Sequence, residues 1–152
     1  MQTDIKNKEI CCDKESDKMK ALKANVTGGI QIGTHVKIAD NTGAKEIEVI
    51  TVKYKHGTHG RLLKGGVGDI IIGTVKVGTP ETRHTIVPCV IIRQRKEYRR
   101  KNGIRVKFED NAAIVLKDID SGEPKGTVIK GPVAKEVVER FQLVTRVSTM
   151  VI

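Results

Sequence analysis

From His35 onward the chain breaks into short runs rich in Val, Ile and Thr, each closed by Gly, Asn, Asp or Pro. This pattern constrains the fold more than any other feature, because β-branched runs of this length between turn residues form antiparallel strands. It places strands over residues 35–39, 46–53, 69–77, 85–93, 104–108 and 112–117. Six short strands at close spacing predict a small barrel, which leaves no long sheet edge exposed. The aromatic residues are Tyr54, Tyr98, Phe108 and Phe141, with no Trp, so the core must rest on Val, Ile and Leu. One helix is predicted after Gly131-Pro132, with proline in the first turn and Val133, Val137 and Phe141 on one packed face.

A chain of 152 residues with 38% hydrophobic and 30% charged side chains suits one globular domain. Its apolar runs are far shorter than a bilayer span, so no membrane partner is expected. Residues 1–18 carry four lysines and five acids and little to bury. They are expected to form a disordered extension ahead of a domain over 19–152, with Met19 a candidate start. The N-terminus lacks the apolar core of a secretory signal, and Cys11, Cys12 and Cys89 show no C-x-x-C spacing, which points to a reducing cytoplasm.

The formal charge is +10, and the remainder of the chain beyond residue 18 holds all of the excess, a balance that makes nucleic acid a candidate partner. The densest stretch is residues 93–107, with eight basic residues and one acid: Arg93, Arg95, Lys96, Arg99, Arg100, Lys101, Arg105 and Lys107 against Glu97. Asn102-Gly103 signals a type I′ turn, so the stretch reads as a two-stranded ribbon, with Ile104, Val106 and Phe108 facing the core and Arg105 and Lys107 facing solvent. A charge run is commonly a solvated strand. Five arginines among the eight cations favour phosphate contact instead, since the guanidinium fork matches phosphate oxygens. Tyr98 either stacks on a base or covers the core, and packing is the commoner role of a lone ring.

A second basic stretch, residues 53–64, contains Lys53, Lys55, Arg61 and Lys64 with two glycines, a loop able to shape itself to a partner. His56 and His59 lack neighbouring Cys, Asp or Glu for a tetrahedral site, so no metal is expected. The glycines of residues 65–69 lead into a strand and lack the Lys-Ser/Thr pair of a nucleotide loop, so they read as a turn. Residues 40–43 are likewise a turn by composition. No nucleophile lies beside a base in any recognised motif, and Cys89 among Val87, Pro88 and Val90 reads as a buried hydrophobe. Three classes fit these features in this order: a structural RNA-binding protein, a free RNA-binding module and an enzyme. Single-strand binding by the second would call for more aromatic platforms.

Four blocks carry a specific resemblance: Ala39-Asp40-Asn41-Thr42-Gly43-Ala44-Lys45, Gly66-Val67-Gly68-Asp69-Ile70, Arg105-Val106-Lys107-Phe108-Glu109-Asp110-Asn111-Ala112, and Lys130-Gly131-Pro132-Val133-Ala134. The chain resembles the universal large-subunit ribosomal protein fourteen family over about residues 20–152. Gly78-Thr79-Pro80-Glu81 and Arg93-Gln94 look like its archaeal and eukaryotic branch. The resemblance implies a mainly β fold, a five-stranded antiparallel barrel with a protruding basic ribbon and a short C-terminal helical region.

It also implies a structural, non-enzymatic role in the cytoplasmic ribosome. The implied partners are large-subunit ribosomal RNA, small-subunit RNA at intersubunit bridges, neighbouring large-subunit proteins and a factor that prevents subunit joining. No cofactor and no homo-oligomer are implied. Lys45 joins the two basic stretches as a candidate RNA contact, and factor docking falls on Gly126, Thr127, Lys130, Lys135 and Arg140. Cys89 departs from the small residue usual in the family, and the leader has no counterpart in typical members.

Overall fold

The computed structural model describes residues 21, 22, 24–57 and 59–152, so the expected extension over 1–18 and the candidate start at Met19 lie outside the described residues. The strands are β1 (Ile30–Gln31), β2 (His35–Ile38), β3 (Ala44–Val52), β4 (Lys64–Gly65), β5 (Ile70–Gly78), β6 (Ile86–Arg93), β7 (Tyr98–Arg99), β8 (Arg105–Val106), β9 (Ala112–Val115), β10 (Ile129–Val133) and β11 (Ser148–Val151). Helices α1 (Lys135–Arg140) and α2 (Gln142–Thr145) lie between the last two strands.

In β3 the buried positions are Ala44, Ile47, Val49 and Val52, a spacing that is not a strict two-residue alternation. The ladder to β5 explains it, because its register shifts between Ala44 and Ile47 and again between Val49 and Thr51. Each irregularity lets the strand bend while its apolar residues stay on the core side. Bent in this way, β2, β3, β5, β6 and β9 close into a barrel in that order.

All of the barrel's pairings are antiparallel except the last. The barrel closes where β2 and β9 run parallel, with Lys37 opposite Ala112 and Ile38 opposite Ala113. All four residues of β9 are buried, because one face looks into the barrel and the other is covered, as both faces of an interior strand require. Val, Ile and Leu dominate the core, with Ile47, Ile71, Val75, Ile91, Ile114 and Leu116 almost fully enclosed. Cys89 lies among them as the expected buried hydrophobe, and burial pushes its thiol pKa well up.

Two local expectations fail. Gly131-Pro132 does not open the helix but lies within β10, which pairs in parallel with β11 across a register shift between Ile129 and Pro132. The apolar tail supplies that partner strand, and a register irregularity is where a sheet tolerates a proline without its N–H. Gly131 sits at φ +83° with its α-carbon against the Arg93 guanidinium, a left-handed conformation that glycine adopts without strain. Helix α1 begins later, with Ala134 as its extended N-cap. Val133, Val137 and Phe141 are nonetheless all buried.

The ribbon turn also differs. Only Gly103 has positive φ, at +86°, while Asn102 does not, so the turn is not type I′. Gly103 N donates to Arg100 O at 3.0 Å and Ile104 N to Asn102 Oδ1 at 3.2 Å. A three-residue loop with one left-handed glycine after a tight turn is the next commonest hairpin solution. Ile104 falls on this loop's exit and is exposed rather than packed.

Candidate nucleic-acid interface

The basic stretch 93–107 begins inside the barrel wall. Arg93 ends β6 and is buried. Its Nε and Nη2 donate to the two carboxylate oxygens of Asp110, at 2.8 and 3.2 Å, and Nη1 donates to the main-chain oxygens of Lys130 and Pro132, at 3.1 and 2.7 Å. The bonds from Arg93 hold the Asp110 carboxyl below its ordinary pKa. Arg93, expected to face RNA, instead fastens β10 to the barrel, because four of its five N–H donors are taken within the protein and its side chain is enclosed. Gln94 follows, with no exposed surface. Its amide nitrogen donates to the main-chain oxygens of Thr27 and Lys96, and its side-chain oxygen accepts from Val67 N.

The ribbon proper is short, with Tyr98 opposite Val106 and Arg99 opposite Arg105, and Asn25 bridges Arg99 from the outside. Tyr98 packs: only 2% of it is exposed, and its hydroxyl donates to Glu136 Oε2 at 2.7 Å. Burial, reinforced by the Glu136 carboxylate, raises the phenol's pKa far above its usual value. Arg100 turns inward to the same carboxylate, Nε to Oε1 at 2.6 Å and Nη2 to Oε2 at 3.1 Å, and reaches the main-chain oxygen of Ile152 at 2.8 Å. Burial alone would push the Glu136 carboxyl up, but the bonds from Arg100 and Tyr98 hold it below the ordinary value. Arg100 is thus a second expected RNA contact that the structure engages within the protein.

The remaining cations face outward. Lys96, Arg99, Lys101 and Lys107 are exposed, and among the described residues none has an acidic partner within bonding distance. Arg95 is exposed with its Nε on Glu109 O at 2.7 Å, which leaves the rest of its fork open. Arg105 pairs with Glu97 at 2.8 Å on an open surface, where an ion pair is weak and readily exchanged. In the second stretch Lys53, Arg61 and Lys64 are exposed, as is Lys45 on β3. Lys55 braces the loop, its Nζ bonded to Asp69 Oδ2 at 2.5 Å and Lys64 O at 3.2 Å. His56 and His59 are exposed on this loop.

The expected docking residues divide in the same way. Thr127, Lys130 and Lys135 are exposed, and Thr127 is held by paired bonds to Asn41, at 2.9 and 3.0 Å. Gly126 is buried, its α-carbon against Asp40 and Asn41. Arg140 points inward, with Nη1 on Gly68 O at 3.1 Å, so it braces the glycine turn rather than offering a free charge.

Sequence reasoning missed two buried acids. Asp40 is buried, and its carboxylate accepts from the main-chain N–H of Thr42 and of Val115 on the neighbouring β9, so it fixes main chain rather than a cation. Glu136 is a buried acid one residue from Val137 on a helix of 6 residues. The signal was an acid placed within an apolar stripe, since a buried carboxylate requires a partner.

The family model described as Ribosomal protein L14p/L23e matches residues 29–152. The curated proteins named large ribosomal subunit protein uL14 from Methanocella arvoryzae and Halorubrum lacusprofundi are 51% and 52% identical to this chain over 134 residues, covering 88% of it and 100% of each relative. The protein of the same name from Methanococcus maripaludis is 51% identical over 133 residues, with 99% of it covered. The resemblance read from four sequence blocks therefore holds along nearly the whole described chain, with archaeal proteins among the relatives, and the chain belongs to the ribosomal protein L14p/L23e family.

Proposed function

We propose that the protein is a structural component of the large ribosomal subunit in the cytoplasmic ribosome, where it binds large-subunit RNA through its ribbon and its 53–64 loop. The observation that carries this reading is the sorting of cations. Arg93, Arg100 and Arg140 are bonded inside the protein, whereas Lys96, Arg99, Lys101, Lys107, Lys53, Arg61 and Lys64 stand exposed. Exposed cations on a rigid support are what phosphate contact needs, and phosphate contact supplies most of the affinity in such complexes. The names of the relatives support the same role.

The finer reading concerns the sheet of β10 and β11, which Arg100 joins to the ribbon through Ile152 O. Lys130 and Thr127 flank Val128, and the sheet of β10 and β11 also exposes Met150, Val151 and Ile152. An apolar patch rimmed by polar groups is a protein-docking surface. We assign it to neighbouring large-subunit proteins or the factor that prevents subunit joining, and the outward ribbon cations to small-subunit RNA at a bridge. Residues 19–152 then act as one domain carrying a short extension.

Sedimentation of a native lysate at low magnesium, with the protein quantified in each fraction, tests the assignment. One copy per large subunit is expected. Recovery in the slow-sedimenting fraction would point to a free RNA-binding module.

A further inference from the structure

The loop between β3 and β4 borders an open cleft of about 690 Å³ whose lining includes Lys55, His56, Arg61, Leu62, Leu63 and Lys64. That volume falls within the range of small-ligand sites. The lining mixes two chemistries. Lys55, Arg61 and Lys64 give it a basic rim beside His56, and among the described residues no carboxylate lines it. Leu62 is 62% exposed beside Leu63, which packs on the core.

The loop is closed at its base, and Gly57 lies against the main chain of Arg61. Lys55 ties its start to its end through Asp69 Oδ2 and Lys64 O. Tyr54 and His59 adopt left-handed backbone at φ +58° and +53°, which is costly for such side chains and concentrates where a particular loop shape is used.

We infer that this cavity receives one unpaired nucleotide of RNA, its phosphate on Arg61 and Lys64 and its base over Leu62. The inference rests on the RNA-binding reading above and adds the kind of RNA feature that is recognised. Duplex RNA hides its bases in a deep, narrow groove, so proteins read bases chiefly where a bulge or loop splays them out. An extruded base is held between apolar side chains, and a base already unpaired has little stacking to lose. An acidic side chain would satisfy the cations but leave Leu62 uncovered, and a lone phosphate would do the same.

The test uses the full chain with ¹³C-methyl-labelled leucine and two RNA hairpins that differ by a single-nucleotide bulge. The bulged hairpin is expected to bind about tenfold tighter, the scale of covering one apolar side chain with a base, and to shift the Leu62 and Leu63 methyl resonances. Leu62→Ser, at an exposed position, should remove that preference, so that the two hairpins bind alike. Equal, salt-sensitive binding of both hairpins with the leucine methyls unmoved would overturn the nucleotide site while leaving RNA binding intact. Failure of both hairpins to bind would overturn the RNA-binding reading itself. An acidic peptide that moved the Leu62 methyls where the bulged hairpin did not would reassign the cavity to a protein partner.

Discussion

Arg100 and Glu136 lie 36 positions apart in the chain, yet the arginine Nε meets Oε1 at 2.6 Å and Nη2 meets Oε2 at 3.1 Å. The pair joins the turn of the ribbon to α1. Only 6% of the Glu136 side chain is exposed, and removing one partner of an enclosed pair leaves the other charge uncompensated. Glu136→Ala is therefore expected to lower unfolding stability by about 3 kcal/mol. Urea denaturation with an unchanged slope is the measurement, and a loss within surface-mutation scatter would mean that Arg100 finds water easily.

The ribbon cations separate into two kinds under mutation. Arg99→Ser with Lys101→Ser should weaken RNA binding, reduce the slope of log affinity against log salt by roughly 2, and leave Tm nearly unchanged. Arg100→Ser should lower Tm. If Arg100→Ser instead changed only the salt slope, the inward ion pair would not persist in solution.

Acid should loosen the same contacts. Glu136 and Asp110 both have folded-state pKa values held below their ordinary 4.5 and 3.8. A depressed carboxylate contributes its full stabilisation above the ordinary value and loses it as pH falls through the folded one. Stability is therefore expected to decline as pH drops below about 4.5, and less steeply in Glu136→Gln. Parallel curves for wild type and variant, from urea midpoints between pH 5 and 3, would count against a charged Glu136.

Gly131 tests how β10 is seated. A β-carbon there would lie 3.0 Å from Arg93 Nη1 on a backbone at φ +83°, so strain and displacement of the guanidinium act together. Gly131→Ala should cost about 2 kcal/mol. A neutral result in thermal unfolding would show that Arg93 moves aside without losing its bonds to Lys130 and Pro132.

Much of the fold was legible because β-branched runs between turn residues have few other solutions, and five of the six predicted runs became the barrel strands within one or two residues. The sixth, 104–108, shrank to β8 because the ribbon turn consumed Ile104. Pro132 was misplaced because its partner strand, β11, is remote in sequence and pattern alone does not reveal what pairs with a proline. Among the cations, charge density marked the stretch but could not tell the enclosed Arg93 from the exposed Arg95. That distinction depends on Asp110 standing across from β6, which only the folded chain supplies.

The parallel pairing of β2 with β9 sets the order in which the protein becomes complete as it is made. Lys37 has no permanent neighbour on that side until Ala112 has left the synthesising machinery. Until then β2, β3, β5 and β6 form an unfinished sheet open along both β2 and β6, the kind of rim that attracts other chains. A nascent chain stalled before residue 112 therefore carries an adhesive edge that the finished protein lacks, and its safe production depends on uninterrupted elongation through β9.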